Sequence, residues 1–471
     1  MNSFIENIYL KSAFLLIFTL VFCTVIFSQK NTAPTNDLTR VPNEIIIELN
    51  AVNQNDLPAI STQYGLTLLD QVGTPPTYRM QITNGQTPEQ LLAAMQNDTR
   101  ILTREFNRKL YQVETEDLPW TIGQTWSIGQ TWSIGRSKKG YDSQWFPDMI
   151  RLKEAHQINR GTRVDNGQPI VVAVLDTGID LNHPAFANRL VSGYDFVGND
   201  DNPSEEGLLR QNPSFGHGTH VAGIIALTAP EAKIMPIRVL DQNGVGELWR
   251  VQAAIIWALN NGADVINMSM SFPTDTLPQD KKVLKRLLDF CDDGTEIEIG
   301  KTYPTNNKKC IMVAGSGNSG TYGPIYPAEL KAEGVDILSV AASNRYDQLA
   351  AFSTINKRCT GGSGGCGGGD EWVRFVAPGE NIISAMPGGT YGAWSGTSMA
   401  SPIVAGIAAL VKAKNPTMTT DQVFHQIEST GINWRCTVAS RSYEIDTTRV
   451  DAFCALSDNF ACGPRRTNCP E

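Results

Sequence analysis

The chain contains no run of five Lys or Arg residues, and its formal net charge is -9 over 471 residues. Nothing in that balance points to nucleic acid. No Cys-x-x-Cys pair occurs among the nine cysteines, which removes the usual spacing for structural zinc. The apolar run near the start, Ala13 to Phe27, spans 15 residues, short for a membrane crossing. Histidine is scarce, at five residues, whereas glycine reaches 41 residues and hydrophobic residues 41%. That composition suits a compact α/β core with many tight turns, and the length leaves room for more than one domain.

Lys11 precedes the apolar run and Ser28 follows it. This reads as a signal peptide over residues 1–28, with removal close to Ser28-Gln29, and so as a secreted (extracellular or periplasmic) chain. The alternative is an uncleaved anchor. Setting Cys23 aside leaves eight of the nine cysteines, and export permits disulfides. Local pairs are favoured, Cys291 with Cys310 and Cys359 with Cys366. A loop of the first size would constrain the unfolded chain by about 3 kcal/mol in the entropy model. Cys436, Cys454, Cys462 and Cys469 are left unassigned, the last two in a Cys-containing tail over 458–471.

Residues 29–115 read as a small α/β unit. Strands are expected over 44–49, 66–72, 78–82 and 101–111, with a helix over 57–64. A second helix should open at Thr87-Pro88-Glu89-Gln90, where Thr caps, Pro fills the first turn and Gln closes a capping box. Residues 116–145 follow as a linker, with a six-residue repeat that carries Trp120, Trp126 and Trp132. The basic stretch Arg136 to Gly140 is a candidate processing site. From Pro169 strands and helices alternate, which implies a parallel sheet. The apolar run Ile170 to Leu175 suits a strand buried on both faces. It puts Asp176 at a C-terminal strand end, where open α/β sheets hold their sites.

Three strings then carry chemistry: Asp176-Thr177-Gly178, His217-Gly218-Thr219-His220-Val221-Ala222-Gly223 and Gly396-Thr397-Ser398-Met399-Ala400-Ser401-Pro402. Each sets one member of an Asp, His, Ser trio among small residues. Ser398 would attack an acyl carbon, His217 would take its proton, and Asp176 would hold the imidazole. Asn318, in Gly315-Ser316-Gly317-Asn318, is a candidate amide donor to the oxyanion. His217 and His220 lack the Glu of a metalloprotease spacing, so no metal is assigned. His220 is read as structural, His183 as a turn residue, and His156 and His425 have no supporting context.

At these strings the chain resembles the subtilisin family of serine peptidases, over about residues 144–456. The resemblance implies a three-layer α/β fold with a mostly parallel sheet over 146–457. Residues 29–115 would be a ferredoxin-like inhibitory propeptide preceding it. It implies a secreted, self-processed serine endopeptidase acting on extended peptides, with its own propeptide as inhibitor and as a monomer. Activity would rise across about pH 6–8 as His217 becomes neutral. Substrate contacts would come from Gly244, Val245, Gly246 and Leu248, from Ser269 and Met270, and from Gly315 and Gly317. Leu248 would line an outer apolar subsite, and a medium or large apolar residue would precede the cut bond. Ser271 and Phe272 depart from the family's Gly-Gly.

No cofactor is implied for the chemistry. The family's tight calcium site should be missing, because Ala185 follows His183-Pro184 and no loop interrupts the helix after His217; other calcium sites stay open. The competing readings are a catalytically silent binding protein on the same fold and an esterase or amidase.

Overall fold

The computed structural model describes residues 40–112 and 133–457, apart from 74–75, 210, 272–309, 321–324, 334, 356–357, 360–371 and 439–442. The expected signal peptide, the Trp repeat, Phe272, Cys291, Cys366 and the C-terminal tail lie outside these residues.

The first sheet is built by β1 (Arg40–Leu49), β2 (Leu66–Val72), β3 (Thr77–Ile82) and β4 (Ile101–Gln112), in the order β4-β1-β3-β2 with antiparallel neighbours. Helices α1 (Leu57–Tyr64) and α2 (Pro88–Ala94) join the strands. At α2 the Thr87 side chain accepts from the Gln90 amide and the Gln90 side chain from the Thr87 amide, so both ends of the capping box form. Strand alternation splits β1 between two environments. Ile45 and Ile47 join a cluster with Ile60, Met80 and Leu91 beneath the helices. Ile46 falls in a different cluster, with Leu110, Leu248 and Trp249.

The sequence reading ran a linker to residue 145, but the chain rejoins the fold earlier. Strand β5 (Ser133–Arg136) pairs with the later strand 390–394, and Ser137 caps helix α3 (Lys138–Asp142). Buried Tyr141 then donates to the Gly223 carbonyl. Arg136 to Gly140, the candidate processing site, is therefore the end of a strand and the start of a capped helix.

The central sheet is α/β and largely parallel. Its strands β6 (Val171–Asp176), β7 (Lys233–Arg238), β9 (Val265–Met268), β11 (Ile311–Gly315), β12 (Ile337–Ser343) and β13 (Phe375–Pro378) take the order β13-β12-β11-β9-β6-β7. Two short strands, β8 (Val245–Glu247) and β10 (Met270–Ser271), stand apart from that sheet and pair with β4. A hairpin of β14 (Ile382–Met386) and β15 (Thr390–Trp394) takes β5 as its third strand.

Helix α4 (His217–Thr228) and helix α6 (Thr397–Lys414) pack on one face of the sheet, and α5 (Leu248–Asn260) on the other. α4 and α6 approach closely because their contact residues are small. A Cβ at Gly406 would come within 2.5 Å of Thr228 Cβ. At Gly223 it would overlap the Ser384 hydroxyl.

Candidate active site

Asp176 ends β6, so its side chain emerges at the C-terminal edge of the sheet. Its Oδ1 accepts from the Thr177 amide at 2.8 Å and meets His217 Nδ1 at 2.7 Å. Its Oδ2 is buried without a hydrogen-bond partner among the described residues. His217 is the first residue of α4, entered through Gly216 in the left-handed region at φ 91°. Both side chains are buried. Gly218 permits the approach, since a Cβ there would overlap the Gly178 carbonyl and lie 3.1 Å from Asp176 Cβ. Trp394 covers the imidazole edge-on, with ring centroids 5.5 Å apart.

Ser398 is the second residue of α6, where backbone amides lack intrahelical acceptors and the helix dipole favours negative charge. Its hydroxyl lies 3.5 Å from the Ser269 carbonyl. Asn318 accepts from the Thr397 amide through Oδ1 at 2.8 Å. That contact fixes the orientation of the amide group and leaves Nδ2 buried without a hydrogen-bond partner among the described residues. An unsatisfied buried donor is costly in a resting protein, and it is what an incoming oxyanion requires.

The residues expected to touch substrate fall into two groups. Val245 and Gly246 lie in β8, opposite Tyr111 and Leu110 of β4, and Met270 lies in β10 opposite Gln112. A peptide-like strand thus sits between β8 and β10, hydrogen-bonded to both. Leu248 is buried in the cluster that holds Leu110 and Met270.

The other group acts from behind the surface. Gly244 makes the turn into β8 at φ 76°. Gly246 is required because a Cβ would press on Leu240 and Val239, so the reason lies beneath the strand and not in backbone approach from above. The Ser269 hydroxyl turns toward Asn267, Ser401 and the Ser398 carbonyl. At Gly315 a Cβ would lie 3.0–3.2 Å from Thr397, and Gly317 donates its amide to Thr397 Oγ1. These last two glycines position the start of α6.

The remaining histidines stay out of the chemistry. His220 Nε2 faces the Ile382 and Gly392 carbonyls at 3.1 and 3.3 Å. His183 caps a short turn and meets the Thr390 carbonyl. Burial lowers the pKa of His156, and His425 lies exposed between Asp421 and Glu428. Among the described residues no group of three or more His, Cys, Asp or Glu side chains is arranged to hold a metal ion. Cys310 and Cys454 are both disulfide-bonded.

Sequence reasoning passed over Thr177, Thr219 and Glu205. Thr177 and Thr219 donate their hydroxyls to Glu205 at 2.6 and 2.8 Å. No motif marks Glu205, which lies 12 residues before His217 in an irregular loop.

The profile of the subtilase family matches residues 167–451. The chain is 35% identical over 286 residues to a thermophilic serine proteinase of Bacillus sp. (strain AK1), covering 59% of this chain and 58% of that protein. To subtilisin E of Bacillus subtilis (strain 168) it is 36% identical over 273 residues, 56% of this chain and 61% of that one. To thermitase of Thermoactinomyces vulgaris it is 33% identical over 309 residues, 62% and 91% of the two chains. It thus spans about three fifths of the first two relatives, at 58% and 61%. The crystal structure of fervidolysin from Fervidobacterium pennivorans, described as a keratinolytic enzyme related to subtilisin, superposes with a TM-score of 0.63 at 22% identity. That match covers 89% of this chain and 62% of fervidolysin, and it is a likeness of fold.

Proposed function

The chain belongs to the subtilase family, and from that premise we propose that it is a secreted serine endopeptidase made as a self-inhibited precursor. The observation that carries this reading is the seating of β4 between β8 and β10. An extended peptide in that place is bound by main-chain pairing, which needs little sequence choice. In the proposed reaction Ser398 Oγ attacks the scissile carbonyl carbon. His217 takes the hydroxyl proton and passes it to the departing amine. Asp176 holds the imidazole by the 2.7 Å bond to Nδ1 and stabilises its cationic form. The oxyanion is met by Asn318 Nδ2 and the amides that open α6. Water then releases the acyl group from Ser398 by the same steps in reverse. Nucleophile, base and oxyanion donors are all the protein's own groups, so the chemistry draws on no cofactor.

Residues 40–112 are, on this reading, the inhibitor. β4 runs antiparallel to β10, with Tyr111 opposite Ser271 and Gln112 opposite Met270. Beside Met270 stands Ser269, whose carbonyl is 3.5 Å from Ser398 Oγ. Val113, which follows Gln112 in the sequence, is apolar as expected before the cut bond, so we assign the first self-cleavage to Val113–Glu114. Leu110, buried with Leu248, fills the outer apolar subsite. Labelling by a serine-directed fluorophosphonate tests the core of the proposal. The processed protein should label and Ser398→Ala should not. Equal labelling of both, or of neither, would remove Ser398 as nucleophile.

A further inference from the structure

Behind the Asp176–His217 pair lies a carboxyl group that the proposed reaction does not use. The loop 203–205 is held to the loop after Asp176 by two backbone bonds. Ile179 donates to the Pro203 carbonyl at 3.0 Å, and Glu205 donates to the Ile179 carbonyl at 3.1 Å. Gly178, at φ 111°, makes the contact possible, because a Cβ there would lie 2.7 Å from the Ser204 carbonyl oxygen. From this anchored position Glu205 accepts from Thr177 Oγ1 at 2.6 Å and from Thr219 Oγ1 at 2.8 Å, and its Oε2 is 3.3 Å from the Thr219 amide. Thr177 follows Asp176, and Thr219 lies two residues beyond His217.

We propose that Glu205 is a positioning residue for the His217 base, fixing the Asp176 loop against the first turn of α4. The reason is in the hydroxyl groups. Each carries a single proton, and Glu205 takes both. Each oxygen is then directed to accept from the opposite element. Thr177 Oγ1 accepts from the Gly218 amide of α4 at 3.0 Å, and Thr219 Oγ1 accepts from the Asp180 amide of the strand-end loop at 2.9 Å. These crossed bonds join the residues next to the acid to those next to the base. Without a common acceptor the two hydroxyls can turn, and the 2.7 Å Asp176–His217 contact loses its outer support.

The carboxyl is also placed to change charge in the working range. Burial pushes its pKa up to about 7; the two threonine bonds oppose that shift and the Asp176 charge adds to it. The other charged groups around it are His217 on α4 and Asp180, whose Oδ2 accepts from the Gly388 and Gly389 amides. Beside it on its own loop, Glu206 pairs with Arg238 of β7, which also binds Asp195. On protonation Glu205 gives up one acceptor position, so the crossed bonds are complete only in the ionised form. The acid limb of activity should therefore depend on two groups, His217 and Glu205.

This inference rests on the peptidase reading, and the test separates the two. Glu205→Gln keeps the shape but can accept from only one hydroxyl through its carbonyl. It should lower kcat about tenfold to a hundredfold with KM unchanged, after correction for active sites by titration. Its acid limb should follow one proton where the wild type is steeper. In the Ser398→Ala background, the NMR titration midpoint of the His217 imidazole should fall by about half a unit or more once the neighbouring charge is removed. Thr219→Val, which cuts one arm and keeps the charge, should lower kcat yet keep the steep limb, and it guards against a glutamine variant that does not fold. Unchanged kcat and limb in Glu205→Gln with an unmoved His217 midpoint, or unchanged kcat in Thr219→Val, would overturn the proposal. If the wild type neither cleaves peptides nor labels, the peptidase reading falls and the His217 midpoint alone decides. Movement then supports the role of Glu205, and its absence overturns it.

Discussion

Two packing surfaces of the molecule are built from different material. On one face of the central sheet, α4 and α6 pack through small residues, and Gly406 leaves no room for a methyl group against Thr228. The face that the first sheet turns to α5 is instead rich in buried polar groups: Glu44, Glu48, Glu105 and Asn107. Glu105 accepts from Gln252 at 2.7 Å, and Asn107 Oδ1 accepts from the Trp249 amide in the first turn of α5 at 3.2 Å. Arg79 bridges Glu44 at 2.8 Å and Glu247 at 3.6 Å. Close apolar packing holds elements that never part. A contact made of hydrogen bonds and ion pairs is the composition of an interface that can dissociate, because water can re-solvate each group as it opens. The difference is what the proposed detachable inhibitor would require.

That contrast can be broken from either side. On the catalytic side, Asn318→Ala should lower kcat about 10²–10³-fold with little change in KM; the size is that measured for an oxyanion donor in a subtilisin and is carried over, not calculated. Steady-state hydrolysis of a peptide substrate checks it, and an unchanged kcat would remove Asn318 from the site. Gly218→Ala should cost about 10²-fold in kcat, because the added methyl group must displace Asp176 or the Gly178 carbonyl. On the inhibitor side, Asn107→Ala removes the cap on Trp249 and the 2.7 Å bond to Glu44. A lost helix cap is worth about 1 kcal/mol, so inhibition should weaken by a factor of five to ten, roughly, with kcat of the freed enzyme unchanged. A shorter lag before full activity would report it.

The smallest effect is on stability. With its pKa raised to about 7 in the folded protein, Glu205 binds its proton more tightly there than in the unfolded chain. Its contribution to stability is therefore full below the ordinary carboxylate range and is lost as pH rises through 7. Thermal melting of wild type relative to Glu205→Gln should fall between about pH 5 and pH 8. A constant difference across that window would contradict the sign.

What the sequence revealed follows from the range over which each signal acts. The capping box at Thr87 and the apolar run of β6 are local, so their elements form where the residues place them. Asp176, His217, Ser398 and Asn318 stand in strings whose small neighbours are needed for contacts now visible, such as Gly218 against Asp176. Residues 133–142 read as linker because their order comes from β15 and from Gly223, both distant in the chain. Gly246 is expected from the sequence as a substrate contact, and Leu240 and Val239 beneath it explain why the position is glycine. Glu205 left no mark at all, since its role exists only once three separate segments converge.

The central claim, that β4 is an inhibitor seated in the cleft of a peptidase that frees itself, is tested by the N-termini of residues 29–471 expressed as wild type and as Ser398→Ala. Mass spectrometry should find a new N-terminus at Glu114 in the wild type alone. A new terminus shared by both proteins, or a wild type that stays whole yet cleaves added peptides, would contradict it.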